Sequence, residues 1–393
     1  MRILILMSHT GGGHRSVSLA VAGALQRQAR GSVEPRIVDL FALGRPTLPD
    51  RLTRLYGPVI RYAPWFYGLV FHAVNRRMAY RVVAAEARRA LLPKVRRLLA
   101  AERPDAIVST HPLCNRVTLD ALAGLGRTVP YVAVVTELVT VHRSWVEPEI
   151  ACYTTATAEA DAAVLAFGAS PERVRRIGLP IDRRFGRVQA APPEIRRGLG
   201  LDPNRLTLLI VGGGEGLGVE RWVRAIDGCG VDAQRIVVCG RNQRLAERLQ
   251  RTPSTAEQRV LGFVDTMPEL MHAADIVLTK GGPQSIVEAM VSGRPIIVTD
   301  RLPGQEEGNP EFVEAHRIGV DGRSVPRALA ALRQLADSPA ERTAMAARSR
   351  ALAAPDAADH VARTVLDLVD VRRSCRSSPA GGRRAEGVAD ERR

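Results

Sequence analysis

The stretch Asp275–Pro310, DIVLTKGGPQSIVEAMVSGRPIIVTDRLPGQEEGNP, decides the fold. Its apolar run Ile276-Val277-Leu278 is short and bounded by charge on both sides, which reads as a parallel strand buried on both faces. Gly281-Gly282-Pro283 follows, two residues without a Cβ before a proline suited to the first turn of a helix. A helix over Gln284–Ser292 and a second buried strand, Ile296-Ile297-Val298, complete the unit. This order leaves backbone N–H groups and the positive end of a helix dipole facing the space beyond the first strand. Such a turn suits a diphosphate, although the same unit is common in α/β proteins with no ligand there. Two neighbours favour the ligand. Glu288, one turn into the helix, is placed to accept hydrogen bonds from both hydroxyls of a ribose. The loop Pro303–Asn309 gathers Gln305, Glu306 and Asn309, groups that bond the adjacent hydroxyls of a sugar.

Three further loops lie far apart in the chain. They are Ser8-His9-Thr10-Gly11-Gly12-Gly13-His14-Arg15, Gly212-Gly213-Gly214-Glu215-Gly216-Leu217-Gly218 and Val238-Cys239-Gly240-Arg241-Asn242. With the Gly281 unit they resemble, in order, the loops of the monogalactosyldiacylglycerol synthase and processive diacylglycerol glucosyltransferase family, relatives of the peptidoglycan transferase MurG. Four ordered matches over roughly residues 1–315 are far more specific than one glycine pattern. The resemblance implies an α/β protein of GT-B type, with two Rossmann-like doubly wound domains facing a central cleft. It also implies a UDP-sugar as donor substrate, with no tightly bound cofactor. No paired Asp-x-Asp suggests a metal.

The 393 residues suffice for two cores, and 46% hydrophobic with 25% charged residues is ordinary for a soluble globular protein. No apolar run reaches the roughly 20 residues of a spanning helix. Met1–Met7 turns polar too abruptly for a signal peptide, so the chain reads as cytoplasmic. Cys114, Cys152, Cys229, Cys239 and Cys375 are scattered without metal spacing and read as reduced thiols. The net charge of +15 is almost entirely arginine, since Lys94 and Lys280 are the lysines; with abundant alanine this points to a GC-rich genome as much as to function.

The placement of that charge says more than its sum. Between Arg51 and Leu99 eleven basic residues face the single acid Glu86, interleaved with Trp65, Phe66, Tyr67 and Phe71. One or two amphipathic helices are expected here. Three readings are open. A nucleic-acid patch lacks any recognition motif. A solvated face over a packed helix is the plain alternative. The third is an interfacial surface, with arginines among anionic headgroups and aromatics at the acyl boundary. Members of the resembled family meet the membrane with this region, which favours the third reading and a peripheral protein on the cytoplasmic face, binding no nucleic acid.

The acceptor-binding, membrane-facing domain is expected over residues 1–186. Strand Arg2–Met7, the loop through Gly12 and Gly13, and a helix from His14 form an opening βα unit with His14 facing the cleft. Alone, this histidine reads as a decoration of the first turn. The resemblance makes it an acceptor-side general base. His111 lies just beyond strand Asp105–Ser109. After strand Tyr131–Val135, the run Thr136–Trp145 departs from the family's V-T-D-x-x-x-x-H-x-x-W in one place: Glu137 replaces aspartate, while His142 and Trp145 match. Glu137 is read as polarising His14, as the base itself, or as pairing with Arg143.

A linker is expected over 187–205 and the UDP-sugar domain over 206–355. A helix crossing back is expected over 356–371, then a disordered basic tail over 372–393. By resemblance, the diphosphate is assigned to the loop Gly213, Gly214 and Gly216 and to the helix start Gly281, Gly282, Pro283 and Gln284. The Ser285 hydroxyl and Arg241 stand beside it, and the uracil is assigned to Gly262, Phe263 and Val264. The expected reaction is an inverting transfer of a hexose to a lipid acceptor such as diacylglycerol, with preorganised donors meeting the charge on leaving UDP. A soluble acceptor and a non-catalytic lipid-binding homologue are the alternatives.

Overall fold

The computed structural model describes residues 1–8, 12–43, 57–60 and 62–377. Two parallel sheets of six strands organise them. The first holds β1 (Arg2–Met7), β2 (Glu34–Asp39), β3 (Ala106–Ser109), β4 (Tyr131–Val134), β5 (Cys152–Thr155) and β6 (Val174–Arg176), in the order β2-β1-β3-β4-β5-β6. The second holds β7 (Thr207–Val211), β8 (Gln234–Val238), β9 (Gln258–Leu261), β10 (Ile276–Lys280), β11 (Ile296–Asp300) and β12 (Gly319–Asp321), in the order β12-β11-β10-β7-β8-β9. Every pairing is parallel, so each strand needs a crossover, mostly helical. In the first half these helices are α1 (Gly13–Gln28), α2 (Pro64–Val74), α3 (Arg77–Glu102), α4 (Asn115–Gly124) and α5 (Ala158–Ala166). In the second they are α6 (Pro192–Gly198), α7 (Val219–Asp227), α8 (Gln243–Arg251), α9 (Met267–Ala273), α10 (Pro283–Val291), α11 (Asn309–Ala315), α12 (Val325–Asp337), α13 (Pro339–Leu352) and α14 (Ala357–Ser377).

The apolar runs are buried on both faces, as helices on either side of a parallel sheet require. Leu278 lies opposite Ile210 on one side and Ile297 on the other, and all three are buried. Each such side chain contributes roughly 1.5–3 kcal/mol of transfer free energy. In each sheet the strand order reverses once, between β1 and β3 and between β7 and β10. Chains leaving neighbouring strands there turn to opposite faces, which opens a crevice at the carboxyl ends. The loops after β1, β7 and β10 are the glycine-rich ones.

Two segments differ from the sequence reading. The expected linker contains α6, whose Pro192-Pro193 starts a helix instead of breaking one. Arg196 anchors it: buried, it donates to Ala273 O and pairs with Asp275 at 2.9 Å. The last helix continues to Ser377, so the first residues assigned to a disordered tail are helical, and residues 378–393 lie outside the described ones. Val361, Val365 and Val369, spaced by four, are fully buried. Their stripe ends at Val369, but backbone hydrogen bonding carries the helix beyond it. Asp359 accepts from Arg27 at 2.9 Å, tying α14 to α1 of the first half.

Candidate active site

His14 stands in the first turn of α1, after Gly12 and Gly13, and is buried. Its Nδ1 lies 2.7 Å from Thr110 O. A carbonyl only accepts, so Nδ1 carries the hydrogen and Nε2 the lone pair. Burial pushes its pKa down to about 4, so the ring is neutral at pH 7. His111 meets it edge-on, with ring centres 4.6 Å apart; burial and His14 itself hold His111 well below the usual range. Glu137, three residues beyond β4, is 2% exposed, and burial pushes its carboxyl up to about 7. Thr136 Oγ1 stands between the two, 3.4 Å from His14 Nδ1 and 3.5 Å from Glu137 Oε2.

Of the three readings of Glu137, the pairing with Arg143 does not form. Arg143 Nε donates to Asn75 O at 2.8 Å, and its guanidinium lies 5.0 Å from the Phe167 ring centre. Trp145 is fully buried in the first half's core, and His142 Nδ1 lies 2.6 Å from Ser144 Oγ, with Phe71 against its ring. These two matched residues brace the segment that follows Glu137. The sequence marked their importance, but not the direction of their side chains.

On the donor side, Gly216 has φ +66°, and a Cβ there would stand 2.6 Å from Cys239 O. A Cβ on Gly240 would stand 2.5 Å from Gly214 O. The two loops therefore interlock at backbone distance, with Arg241 N–H donating to Gly214 O. The Arg241 guanidinium folds onto Glu215 at 2.7 Å. Phe263 is exposed beside Gly262 and Val264. Gly281 and Gly282 spend their N–H groups inside the fold, on Asp300 O and Lys280 O. Because α10 starts at Pro283 and its first return bond is Ile286 N–H to Gly282 O, the amides left over are those of Gln284 and Ser285. Of the expected helix-start residues, Gln284 and Ser285 are thus the ones whose amides are not used within the fold.

Glu288 Oε1 accepts from Gln284 Nε2 at 3.2 Å, and burial pushes its carboxyl up to about 8. Glu306 is held within the fold: it pairs with Lys280 at 2.9 Å and accepts from Leu302 N–H at 2.6 Å. Asn309 is fully buried, with Nδ2 donating to Gly281 O at 2.7 Å. Both fasten the loop to the end of β10. Gln305 alone of the three reaches the facing half. Its Nε2 lies 3.5 Å from Glu137 Oε1, and its Oε1 accepts from the Tyr67 hydroxyl at 3.1 Å. Composition contained one usable hint that was missed: Lys280 is a rare lysine in an arginine-rich chain, and it sits in this loop's anchor.

Helix α2 brings Tyr67 there. Its outer face exposes Trp65 (68%), Phe66 (45%), Leu69 and Val70, and α3 adds exposed Met78 and Val82 beside Arg77 and Arg81. Tyr67 and Phe71, grouped with these in the sequence reading, turn inward instead. Residues 51–56 and 61 of that stretch lie outside the described ones. Among the described residues no helix is long and apolar enough to cross a membrane, and no group of three or more His, Cys, Asp or Glu is placed to hold a metal ion.

Two Rossmann-like parallel sheets, with a buried neutral histidine after the first strand of one and a glycine turn leading into a helix start in the other, are the architecture of the GT-B class. Solved structures share this fold. MurG of Acinetobacter baumannii superposes with a TM-score of 0.61 at 20% identity, covering 93% of this chain and 99% of that one. HepE of Anabaena in complex with UDP-glucose gives 0.53 at 17% identity, covering 96% and 100%. A UDP-GlcNAc 2-epimerase from Neisseria meningitidis bound to UDP-GlcNAc gives 0.61 at 13% identity, covering 93% and 100%. Such distant likenesses speak to the fold alone.

Sequence relationship is narrower. Residues 14–181 match the Monogalactosyldiacylglycerol (MGDG) synthase family, and residues 207–361 the Glycosyltransferase family 28 C-terminal domain. The chain is 34% identical over 329 residues to the chloroplastic monogalactosyldiacylglycerol synthase of Spinacia oleracea, covering 81% of this chain and 63% of that protein. It is 32% identical over 384 residues to a probable chloroplastic monogalactosyldiacylglycerol synthase of Glycine max, covering 94% and 72%. The chain belongs to the monogalactosyldiacylglycerol synthase family of glycosyltransferases. It spans less than two thirds of the spinach protein's length.

Proposed function

We propose that this chain transfers a hexose, with inversion, from a UDP-sugar to the free hydroxyl of a diacylglycerol. Its relatives' names support galactose as the sugar. The observation that carries the reading is the meeting of the two half-sites: Gln305 of the donor loop reaches Glu137, next to the neutral His14. Glu288 holds the ribose hydroxyls, and the Gln284 and Ser285 amides hold the diphosphate. His14 Nε2 takes the acceptor proton. The acceptor oxygen bonds to the sugar's anomeric carbon as the bond from that carbon to the phosphate oxygen breaks, and its electron pair leaves with UDP. Charge develops on the diphosphate, where preorganised N–H donors act most strongly. The Glu137 carboxylate offsets the imidazolium formed on His14.

The acceptor is carried by a membrane, and the apolar and arginine-bearing outer face of α2 and α3 is the surface assigned to anionic headgroups on the cytoplasmic side. The test is transfer of radiolabelled sugar from UDP-galactose, UDP-glucose and UDP-N-acetylglucosamine to liposomes containing diacylglycerol. A labelled glycolipid is expected from one donor, and none from His14→Ala, which keeps its affinity for UDP. Donor hydrolysis without labelled lipid would overturn the lipid acceptor, and undiminished transfer by His14→Ala would overturn the base.

A further inference from the structure

The inner face of α2 has no part in the reaction as proposed, yet it closes on the sugar loop with unusual intimacy. Gly68 faces Pro303 so closely that a Cβ there would stand 2.6 Å from the Pro303 Cβ. Gly304, at φ +85°, meets Phe71, and a Cβ on it would stand 2.7 Å from that ring. One glycine on each partner therefore lets helix and loop touch at backbone distance. Two polar ties flank this contact. The Tyr67 hydroxyl donates to Gln305 Oε1 at 3.1 Å, and His72 Nε2 lies 2.9 Å from Glu307 Oε2.

The first tie has a consequence for chemistry. A glutamine amide is two-ended, and a free one rotates to offer either its oxygen or its NH2 group. With Oε1 held by a hydroxyl donor, the NH2 end is the one left facing Glu137 and the cleft. A sugar hydroxyl in that position is met by a donor of fixed direction, and Glu137 by the same group. We propose that Tyr67 is a positioning residue for donor-sugar recognition, acting from the first half of the chain by fixing the orientation of Gln305 in the second. The proposal rests on the donor assignment above, but not on the identity of the acceptor. Tyr67 touches neither the nucleotide nor the reacting atoms in this account. The effect proposed here passes through Gln305.

The experiment is calorimetry on the full chain, with UDP and with the three UDP-sugars, for wild type, Tyr67→Phe, Gln305→Ala and the double variant. Tyr67→Phe keeps the ring against Phe71 and removes only the hydroxyl. Expected is unchanged affinity for UDP in all four proteins, and a loss of about tenfold in affinity for the preferred UDP-sugar in each single variant, the size of one hydrogen bond. The double variant loses no more than Gln305→Ala alone. Wild-type affinity of Tyr67→Phe for every UDP-sugar would overturn the proposal, as would losses that multiply in the double variant. A wild type that binds no UDP-sugar more tightly than UDP would overturn it too, by removing Gln305 from sugar recognition. Failure of the transferase reading appears elsewhere, as absence of labelled lipid, and leaves these affinities as measured. A second readout separates positioning from general damage: a Glu137 deprived of its amide donor ionises at higher pH, so the acid limb of the wild-type pH–rate curve moves up in Tyr67→Phe.

Discussion

The role proposed for Glu137, to offset the charge formed on His14, makes the rate depend on pH. His14, held near pKa 4 by burial, is neutral throughout the physiological range, but a base so weak accepts a proton poorly unless a negative charge stands by. Glu137 supplies that charge only when ionised, and its own burial places that ionisation at about 7. Relative to the ordinary 4.5, the shift corresponds to about 3 kcal/mol spent on ionising a desolvated carboxyl. With a pKa near 7, roughly one Glu137 in eleven is ionised at pH 6 and ten in eleven at pH 8. The turnover rate at saturating donor should therefore rise about tenfold from pH 6 to pH 8 and then level. Saturation matters, because the titration of Glu288 belongs to donor binding. In Glu137→Gln the charge is gone at every pH: the rate should fall about a hundredfold and lose its dependence between pH 6 and 8. A flat wild-type profile over that interval would refute the reasoning, and so would a limb near 7 that survives in Glu137→Gln.

The remaining predictions concern binding and stability. Glu288, protonated near neutrality in the free protein because burial holds it at about 8, must ionise to accept from two ribose hydroxyls. UDP binding at pH 7 should therefore release close to one proton, seen as a dependence of the calorimetric heat on buffer ionisation enthalpy, and tighten as pH rises towards 8. No such release, or an unchanged affinity in Glu288→Ala, would remove the residue from the ribose. Lys280→Met leaves Glu306 nearly buried without its cation (7% side-chain exposure) and should lower the unfolding free energy of the second half by about 3 kcal/mol in denaturant titration. An unaltered midpoint would mean the pair contributes nothing to the loop's anchorage. Replacing Trp65 and Phe66 together by serine should reduce sedimentation with anionic liposomes while leaving UDP affinity intact, since both side chains point outward. Undiminished sedimentation would move the membrane surface elsewhere.

The donor half was readable locally because its evidence is local. A strand, a glycine turn and a helix start follow one another in sequence, and the physics of leftover amides acts within a few residues. The apolar runs that became β7, β8, β10 and β11 needed only their length and their flanks to be recognised. Even there, reading stopped at side-chain direction. Gln305, Glu306 and Asn309 share one polar loop and looked alike, yet Lys280 and Gly281 draw the last two inward and leave the first to face the cleft.

By itself, the sequence determined the buried parallel strands and the glycine loops that follow them, because periodicity and turn chemistry are properties of neighbouring residues; His14 and Glu137 were singled out by the family resemblance. Only the tertiary structure decided that Arg143 turns to Asn75 and away from Glu137. It alone decided that Trp145 is core, and that Tyr67 leaves the aromatic surface to grip Gln305. Those outcomes depend on which groups 68 to 238 residues apart come within hydrogen-bond reach, and on how far burial shifts a carboxyl or an imidazole. Neither quantity exists until the two halves of the chain have packed.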